Sequence, residues 1–179
     1  MKLFSAQQIR EADQYTIQSY GIRSWELMEQ AARQCIHWIN ENLPNDSIFI
    51  VLCGCGNNGG DGLAITRLLH ENGFPVKAFL LKTQEQLSVD AERNYQKLLA
   101  IGADMVSIVE KANYLTTIAP HLIIIDAILG TGINRPITGW LGLFIKHINT
   151  LPNQKISIDI PSGLAVDAID STNDCIIQA

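Results

Sequence analysis

The chain has 179 residues, of which 47% are hydrophobic, and this is enough for one α/β domain with a core of its own. Its 13 Lys and Arg residues against 18 Asp and Glu residues give a formal net charge of -5, without a basic run or a basic helix face. Nucleic acid and anionic membrane surfaces are therefore not expected as partners.

Two amphipathic helices are predicted at the start of the chain. The first begins at Ser5, which can form a capping box with Gln8, and it ends before Gly21. The second is predicted over residues 24–43, before Pro44, and most of its apolar side chains fall on one face. Both helices are therefore expected to pack against a core.

A buried strand is predicted at residues 48–52, where the apolar run has no polar alternation. It leads into a glycine-rich turn and then a helix over residues 61–72. Glycines let the backbone turn sharply and approach a ligand, while Asn57, Asn58 and Asp61 supply side-chain oxygen atoms at the helix entrance. This turn is the first candidate for a small-molecule site.

Strands and helices alternate through the rest of the chain. Strands are predicted at residues 75–81, 105–109, 122–125 and 155–158, and helices at residues 89–101, 111–119 and 140–149. This alternation predicts a three-layer αβα sandwich with a Rossmann-like, doubly wound and mostly parallel sheet. Residues 164–179 show little pattern and no closing strand or helix, so a single domain over residues 1–179, truncated at its C-terminal end, is expected.

Two of these strands end at an aspartate that is followed by a glycine-containing loop. Asp126 precedes residues 127–136, and Asp159 precedes Ile-Pro-Ser-Gly. Each aspartate alone could simply cap its turn. However, the carboxyl ends of parallel strands share one crevice, and buried carboxylates gathered opposite Asn58 and Asp61 favour a bound cation or substrate. Ser162 could add a hydroxyl ligand or merely close its turn, and the spacing does not separate these two interpretations.

The segment from Gly54 to Gly59 fits G-x-G-x-x-G between a strand and a helix, although this match alone is weak. In a dinucleotide-dependent dehydrogenase an acidic residue ends the next strand, whereas this chain has Lys82 there, which argues against hydride transfer.

The sequence has no Walker A lysine and no G-x-S-x-G elbow. Its 4 cysteines have no zinc-site spacing and no signal or membrane segment is apparent, so a cytoplasmic location is expected.

Three segments together resemble the YjeF N-terminal domain family, whose enzymes are NAD(P)H-hydrate epimerases. They are Asn-Asn-Gly-Gly-Asp-Gly at residues 57–62, Asp-Ala-Ile-Leu-Gly-Thr-Gly at residues 126–132 and Asp-Ile-Pro-Ser-Gly at residues 159–163. The resemblance runs from residue 5 to about residue 167. It implies an enzyme that interconverts the R and S forms of NADH or NADPH hydrated at C6, so that a dehydratase can use the S form.

The resemblance also implies a set of site residues. Potassium would be held by Asn58, Asp126 and Ser162, and the family implies a homodimer and a dehydratase partner, which can be a fused C-terminal domain. We assign the acid-base role to Asp159 as a hypothesis, because it stands at a strand end beside a glycine turn. The hydrated dinucleotide would contact Asn57, Asn58, Gly59, Gly60, Asp61, Gly130, Thr131, Gly132, Ile133, Asn134, Arg135, Pro136 and Asp159.

Two other functions are also compatible with the fold class. Some relatives of this family serve as binding or scaffold modules in RNA-processing proteins, and such modules would be expected to lose the acidic site residues. This chain has Asp61, Asp126 and Asp159, which favours the enzyme. An NAD-dependent oxidoreductase is the second alternative, and Lys82 counts against it.

Overall fold

The computed structural model describes residues 4–111, 117–132, 136–167 and 175–179. Two helices come first and are followed by alternating strands and helices, with a short 3-10 helix at Ala103–Met105. The helix predicted over residues 111–119 falls largely outside the described residues. The helices are α1 (Ala6–Tyr20), α2 (Ser24–Asn42), α3 (Asn57–Glu71), α4 (Val89–Ile101) and α5 (Gly139–Thr150), and the strands are β1 (Phe49–Cys53), β2 (Val76–Leu81), β3 (Val106–Val109), β4 (Ile123–Ala127) and β5 (Lys155–Ser157).

The strands form a parallel, five-stranded sheet in the order β3-β2-β1-β4-β5. All residues of β1 are buried, as its uninterrupted apolar sequence predicts. Phe49, Val51 and Cys53 face a core shared with α2, α3 and α4, whereas Ile50 and Leu52 face a second core shared with α5. The three-layer, doubly wound architecture is therefore confirmed.

The start of α1 is fixed by the predicted capping box. The Ser5 hydroxyl accepts a hydrogen bond from the Gln8 backbone N–H at 3.2 Å, and the Gln8 side chain accepts one from the Ser5 N–H at 2.9 Å. The Ala6 N–H donates to Asp167 Oδ1 at 3.2 Å, which ties the beginning of α1 to the segment that follows β5. Gly21 ends the helix in the left-handed conformation, with φ 61°.

A partly buried ion-pair network joins α2 to α3. The Arg67 guanidinium donates hydrogen bonds to Glu29 and, at 2.8 Å, to Glu71. Burial alone would raise the pKa of Glu29, but the hydrogen bond and charge of Arg67, with Lys97 and Arg33, lower this pKa overall. These contacts fix the position of α3, whose first turns contain the Asn-Asn-Gly-Gly-Asp segment.

The largest difference from the predicted bounds is at α3. This helix begins at Asn57, four residues earlier than predicted, after Gly56 in an extended conformation. The glycines whose pattern predicted a turn are needed instead for close packing. A Cβ added to Gly59 would lie 1.8 Å from the Gly54 carbonyl oxygen, and one added to Gly62 would lie 2.6 Å from the Ala127 side chain. The first turn of α3 therefore packs directly on the ends of β1 and β4.

Candidate active site

The candidate site lies at the carboxyl ends of β1, β4 and β5. The chain passes from β1 to α3 on one face of the sheet, and from β4 towards α5 on the other. Strand order reverses between β1 and β4, which makes this a topological switch point, where open parallel sheets bind ligands. The loop backbones approach each other at this point, since the Gly54 N–H donates to the Ala127 carbonyl at 3.0 Å.

Asp126 lies within β4 and is completely buried. Its Oδ2 accepts hydrogen bonds from the Ser157 hydroxyl and the Ser162 N–H, each at 2.8 Å. Its Oδ1 accepts from the Ile128 N–H at 3.2 Å and from the Ser162 hydroxyl at 2.5 Å. The bond to Ile128 confirms that Asp126 caps its own turn, and the bonds to Ser157 and Ser162 also join β4 to the chain around β5.

Burial raises the pKa of Asp126, although hydrogen bonds from Ser162, Ile128 and Ser157 oppose this rise. Among the described residues, no lysine or arginine forms an ion pair with it. Within the described part of the chain, its negative charge is therefore compensated by hydrogen bonds. A buried carboxylate in such a place favours a cation.

Ser162 does more than close its turn, which was one of the two roles considered from the sequence. Its hydroxyl oxygen accepts a hydrogen bond from the Leu129 N–H at 2.9 Å, and the hydroxyl lies within donating distance of both Asp126 and, at 3.1 Å, the Leu129 carbonyl. Ser157 was not identified from the sequence. The strand pairing identifies it, because Ser157 lies opposite Asp126 on the neighbouring strand.

Asn58 lies in the first turn of α3 with 9% of its surface exposed. Both its Oδ1 and its Nδ2 are buried without a hydrogen-bond partner among the described residues. Each unsatisfied buried polar group costs about 1–3 kcal/mol, so native proteins seldom keep two of them on one side chain. The Asn58 amide is therefore free to bind a group outside the described part of the chain.

Asp159 follows β5 and has a positive φ of 65°, which is uncommon outside glycine. Its Oδ2 accepts a hydrogen bond from the Thr131 N–H at 2.9 Å. A Cβ added to Gly130 would lie 2.7 Å from this Oδ2 and 3.2 Å from the Asn58 Cβ. Glycine at position 130 thus lets the loop after β4 lie against both Asn58 and Asp159.

A third carboxyl group, on Asp61, completes this region. Burial raises the pKa of Asp61 to about 7, with further contributions from the negative charges of Asp159, Asp13 and Asp90. Burial also raises the pKa of Asp13, again with a contribution from Asp159. Asp13 was not identified as a site residue, because its position near α3 and the end of β5 depends on how α1 packs.

The predicted site residues divide by location. Asn57 is exposed, while Gly59 and Gly60 are buried; a Cβ at Gly60 would come within 2.9 Å of Met28. Thr131 and Gly132 lie in the loop after β4, and Pro136 is exposed. Ile133, Asn134 and Arg135 lie outside the described residues.

The described part of the chain contains neither a metal-binding cluster of His, Cys, Asp and Glu side chains nor a membrane-spanning helix. Within it, no group of three or more His, Cys, Asp or Glu side chains is placed to hold a metal ion. The same residues contain no helix that is both long and apolar enough to cross a membrane. Among the cysteines, Cys53, Cys55 and Cys175 are buried and Cys35 is half-buried.

The sequence model of the family described as YjeF-related protein N-terminus matches residues 24–179. The chain belongs to this family. Similar YjeF-family proteins include the NAD(P)H-hydrate epimerase of Oenococcus oeni, with 34% identity over 164 residues, which covers 91% of this chain and 75% of that protein. The NAD(P)H-hydrate epimerase of Limosilactobacillus fermentum is 34% identical over 169 residues, covering 91% of this chain and 76% of that protein.

Longer YjeF-family proteins match the same region. The bifunctional NAD(P)H-hydrate repair enzyme Nnr of Salinibacter ruber is 33% identical over 177 residues, which cover 92% of this chain but 33% of that protein. The crystal structure of the yeast protein YNL200c has a TM-score of 0.76 and covers 93% of this chain and 73% of its own. At 24% identity, the yeast structure supports the fold of the YjeF family alone.

Proposed function

We infer that this chain is an NAD(P)H-hydrate epimerase, an isomerase that interconverts the R and S forms of hydrated NADH and NADPH. Relatives with this name match about nine-tenths of the chain. The observation that supports the inference is that Asn58 and Asp159 both lie against Gly130. A buried amide without a partner among the described residues and a carboxylate therefore border one crevice, where the substrate ring would bind.

Asp159 is proposed as the acid-base group at the reacting carbon. It would assist the departure of the C6 hydroxyl and its return to the other face of the ring. The Thr131 N–H holds Asp159 Oδ2 in place, and Gly130 leaves the space beside it free of a side chain. The first turn of α3 and the loop of residues 130–136 would bind the dinucleotide around this group, as the positive end of a helix favours phosphate.

The donor groups of this site also fit a potassium ion. Asn58 offers an amide oxygen with no protein partner among the described residues, Ser162 a hydroxyl oxygen, and Asp126 a buried carboxylate that no described lysine or arginine neutralises. Oxygen ligands of this kind suit hard cations. Bound potassium would supply positive charge beside an acidic site that has to accept an anionic substrate.

The experiment that tests the function uses R-form NADH hydrate, potassium and an excess of an S-specific dehydratase. We expect the protein to consume the R form well above the spontaneous rate of epimerisation. Parallel reactions with NADPH hydrate would compare the two substrates. A rate equal to the spontaneous rate with both substrates would contradict the proposed function.

Potassium is expected to stabilise the native protein. Exchanging choline chloride for potassium chloride at constant ionic strength should raise the melting temperature, because a ligand that binds only the folded state adds about 2.7 kcal/mol at a hundred times its Kd. Asn58→Ala should abolish this increase, whereas Asn45→Ala, at an exposed asparagine, should retain it. An equal potassium effect in all three proteins would remove Asn58 from the proposed ligands.

The partners and location are part of the same proposal. The product would pass to an NAD(P)H-hydrate dehydratase, which is either a separate protein or a fused domain, as the bifunctional name of the longer relatives suggests. We further propose a homodimer and a cytoplasmic location. A scaffold function is less consistent with the site, because the carboxyl groups of Asp61, Asp126 and Asp159 and the unpaired Asn58 amide are all present.

A further inference from the structure

Asp61 is a half-buried carboxyl group to which the proposed function has given no chemical role. It lies on α3 one turn after Asn58, so both side chains project from the same face of the helix. Asp159, beyond β5, has the largest electrostatic effect on it, followed by Asp13 of α1 and Asp90 of α4. Carboxyl groups from three other parts of the chain therefore act on Asp61.

The groups facing Asp61 give its charged form little support. Asp13 faces it from α1, Asp90 from α4 and Asp159 from the segment after β5, while α2 contributes the neutral thiol of Cys35. Among the described residues, no lysine or arginine offsets these acids, and no donor forms a hydrogen bond to the Asp61 side chain. Burial and like charge together raise the pKa of Asp61 to about 7, so it keeps a proton far above the ordinary range of an aspartate.

A second observation indicates a binding position near this carboxyl group. The Asn58 amide is nine-tenths buried and has both polar atoms unpaired among the described residues. Gly130 lies against both Asn58 and Asp159, which itself acts on Asp61. The acidic groups and the unpaired amide thus border the same space.

We propose that Asp61 is a second catalytic residue of this site, which donates a proton to the departing C6 oxygen while Asp159 receives the proton of the water that returns. This rests on the proposed function. Epimerisation by departure and return needs an acid and a base at the same time, and a pair of carboxyl groups with different proton affinities supplies both.

The proposed reaction removes and returns water at C6, so it needs no oxidant and no reductant. The C6–O bond breaks as its electron pair leaves with the oxygen, which becomes water with the proton from Asp61, and the ring-nitrogen lone pair forms a C6–N double bond. Water then attacks C6 from the other face, the double-bond electrons return to nitrogen, and the surplus proton passes to Asp159. Exchange with solvent then returns a proton to Asp61 and removes the proton from Asp159, and the reverse reaction uses the two groups in exchanged roles.

The test compares Asp61→Asn with Asp46→Asn, which makes the same chemical change at an exposed position. Asp61→Asn should lower kcat by about 100-fold or more, the usual contribution of a general acid, with KM changed by less than about fivefold. Its melting temperature should be equal to or above that of the wild type, because a carboxyl group among like charges is removed. Activity within about threefold of the wild type, with an active wild type, would overturn the role of Asp61 while leaving the proposed function intact.

A pH profile gives a readout that a structural role would not change. The wild-type kcat/KM should fall as pH rises through about 7, because the acid on Asp61 is then lost. Asp13→Asn removes one of the negative charges that keep Asp61 protonated, so this alkaline limb should move to lower pH. An alkaline limb that is unchanged in Asp13→Asn and Asp61→Asn would overturn the proposal, and a wild type that never exceeds the spontaneous rate would instead overturn the proposed function.

Discussion

Replacing Asp159 with asparagine is expected to slow epimerisation by about 100-fold to 10,000-fold, the range in which general acid-base groups contribute. Asparagine tolerates the left-handed conformation that this position adopts, with φ 65°. Its side-chain oxygen can also still accept the Thr131 N–H, which lies 2.9 Å from Asp159 Oδ2. The substitution therefore removes the capacity to exchange a proton and retains the backbone and its hydrogen bond.

The measurement is kcat for R-form NADH hydrate with the S-specific dehydratase in excess. Asp46→Asn is the control, because it changes an exposed aspartate in the same way. The melting temperature of Asp159→Asn should lie within a few degrees of the wild type, which would exclude a folding defect. If Asp159→Asn retained more than about a third of the wild-type rate, another group would have to exchange the proton.

Gly59→Ala is expected to cause a large loss of stability. The new Cβ would lie 1.8, 2.5 and 2.8 Å from the O, C and N atoms of Gly54. Because all three are backbone atoms, no side chain can rotate away, and α3 would have to separate from the end of β1. We expect the free energy of unfolding to fall by about 3 kcal/mol or more, measured by urea denaturation.

Gly56→Ala is the matched control for this prediction. Gly56 lies in the same loop, immediately before α3, and a Cβ added there meets no atom within 4 Å. Its backbone is extended, with φ -87°, so alanine can adopt it and the unfolding free energy should change by about 1 kcal/mol or less. Equal losses in Gly56→Ala and Gly59→Ala would mean that close backbone packing is not the reason for glycine at position 59.

Local sequence patterns predicted most of the fold because the strands are short and largely apolar, and the central strands β1 and β4 are buried throughout. The run before Gly54 has no polar alternation, and β1 is indeed buried on both sides. The predicted start of α3 was wrong because several glycines in series look like a turn. Glycine is needed at positions 59 and 62 because Gly59 packs closely on Gly54 and Gly62 on Ala127. The second contact joins residues that are distant in sequence.

The sequence also placed Asn58, Asp126 and Asp159 near one another, since each stands at the carboxyl end of a parallel strand or opens the following helix. It did not reveal Ser157, whose hydrogen bond to Asp126 depends on the register between β4 and β5. Asp13 was missed for a related reason. Its electrostatic effect on Asp61 and its interaction with Asp159 arise from the packing of α1, which helix periodicity alone does not reveal.

The pairing of β1 with β4 has a consequence for the order of folding. Phe49 lies opposite Ile123, so this pair forms after the chain between them has closed a long loop, whereas β1 and β2 are joined by α3 alone. Long-range parallel pairs of this kind make folding slow, because the chain loses conformational entropy on closing the loop before the contact between the strands forms. Asp126 would then become buried late, after the rate-limiting barrier. Ligands of the site should accordingly act mainly by slowing unfolding and should change the folding rate little.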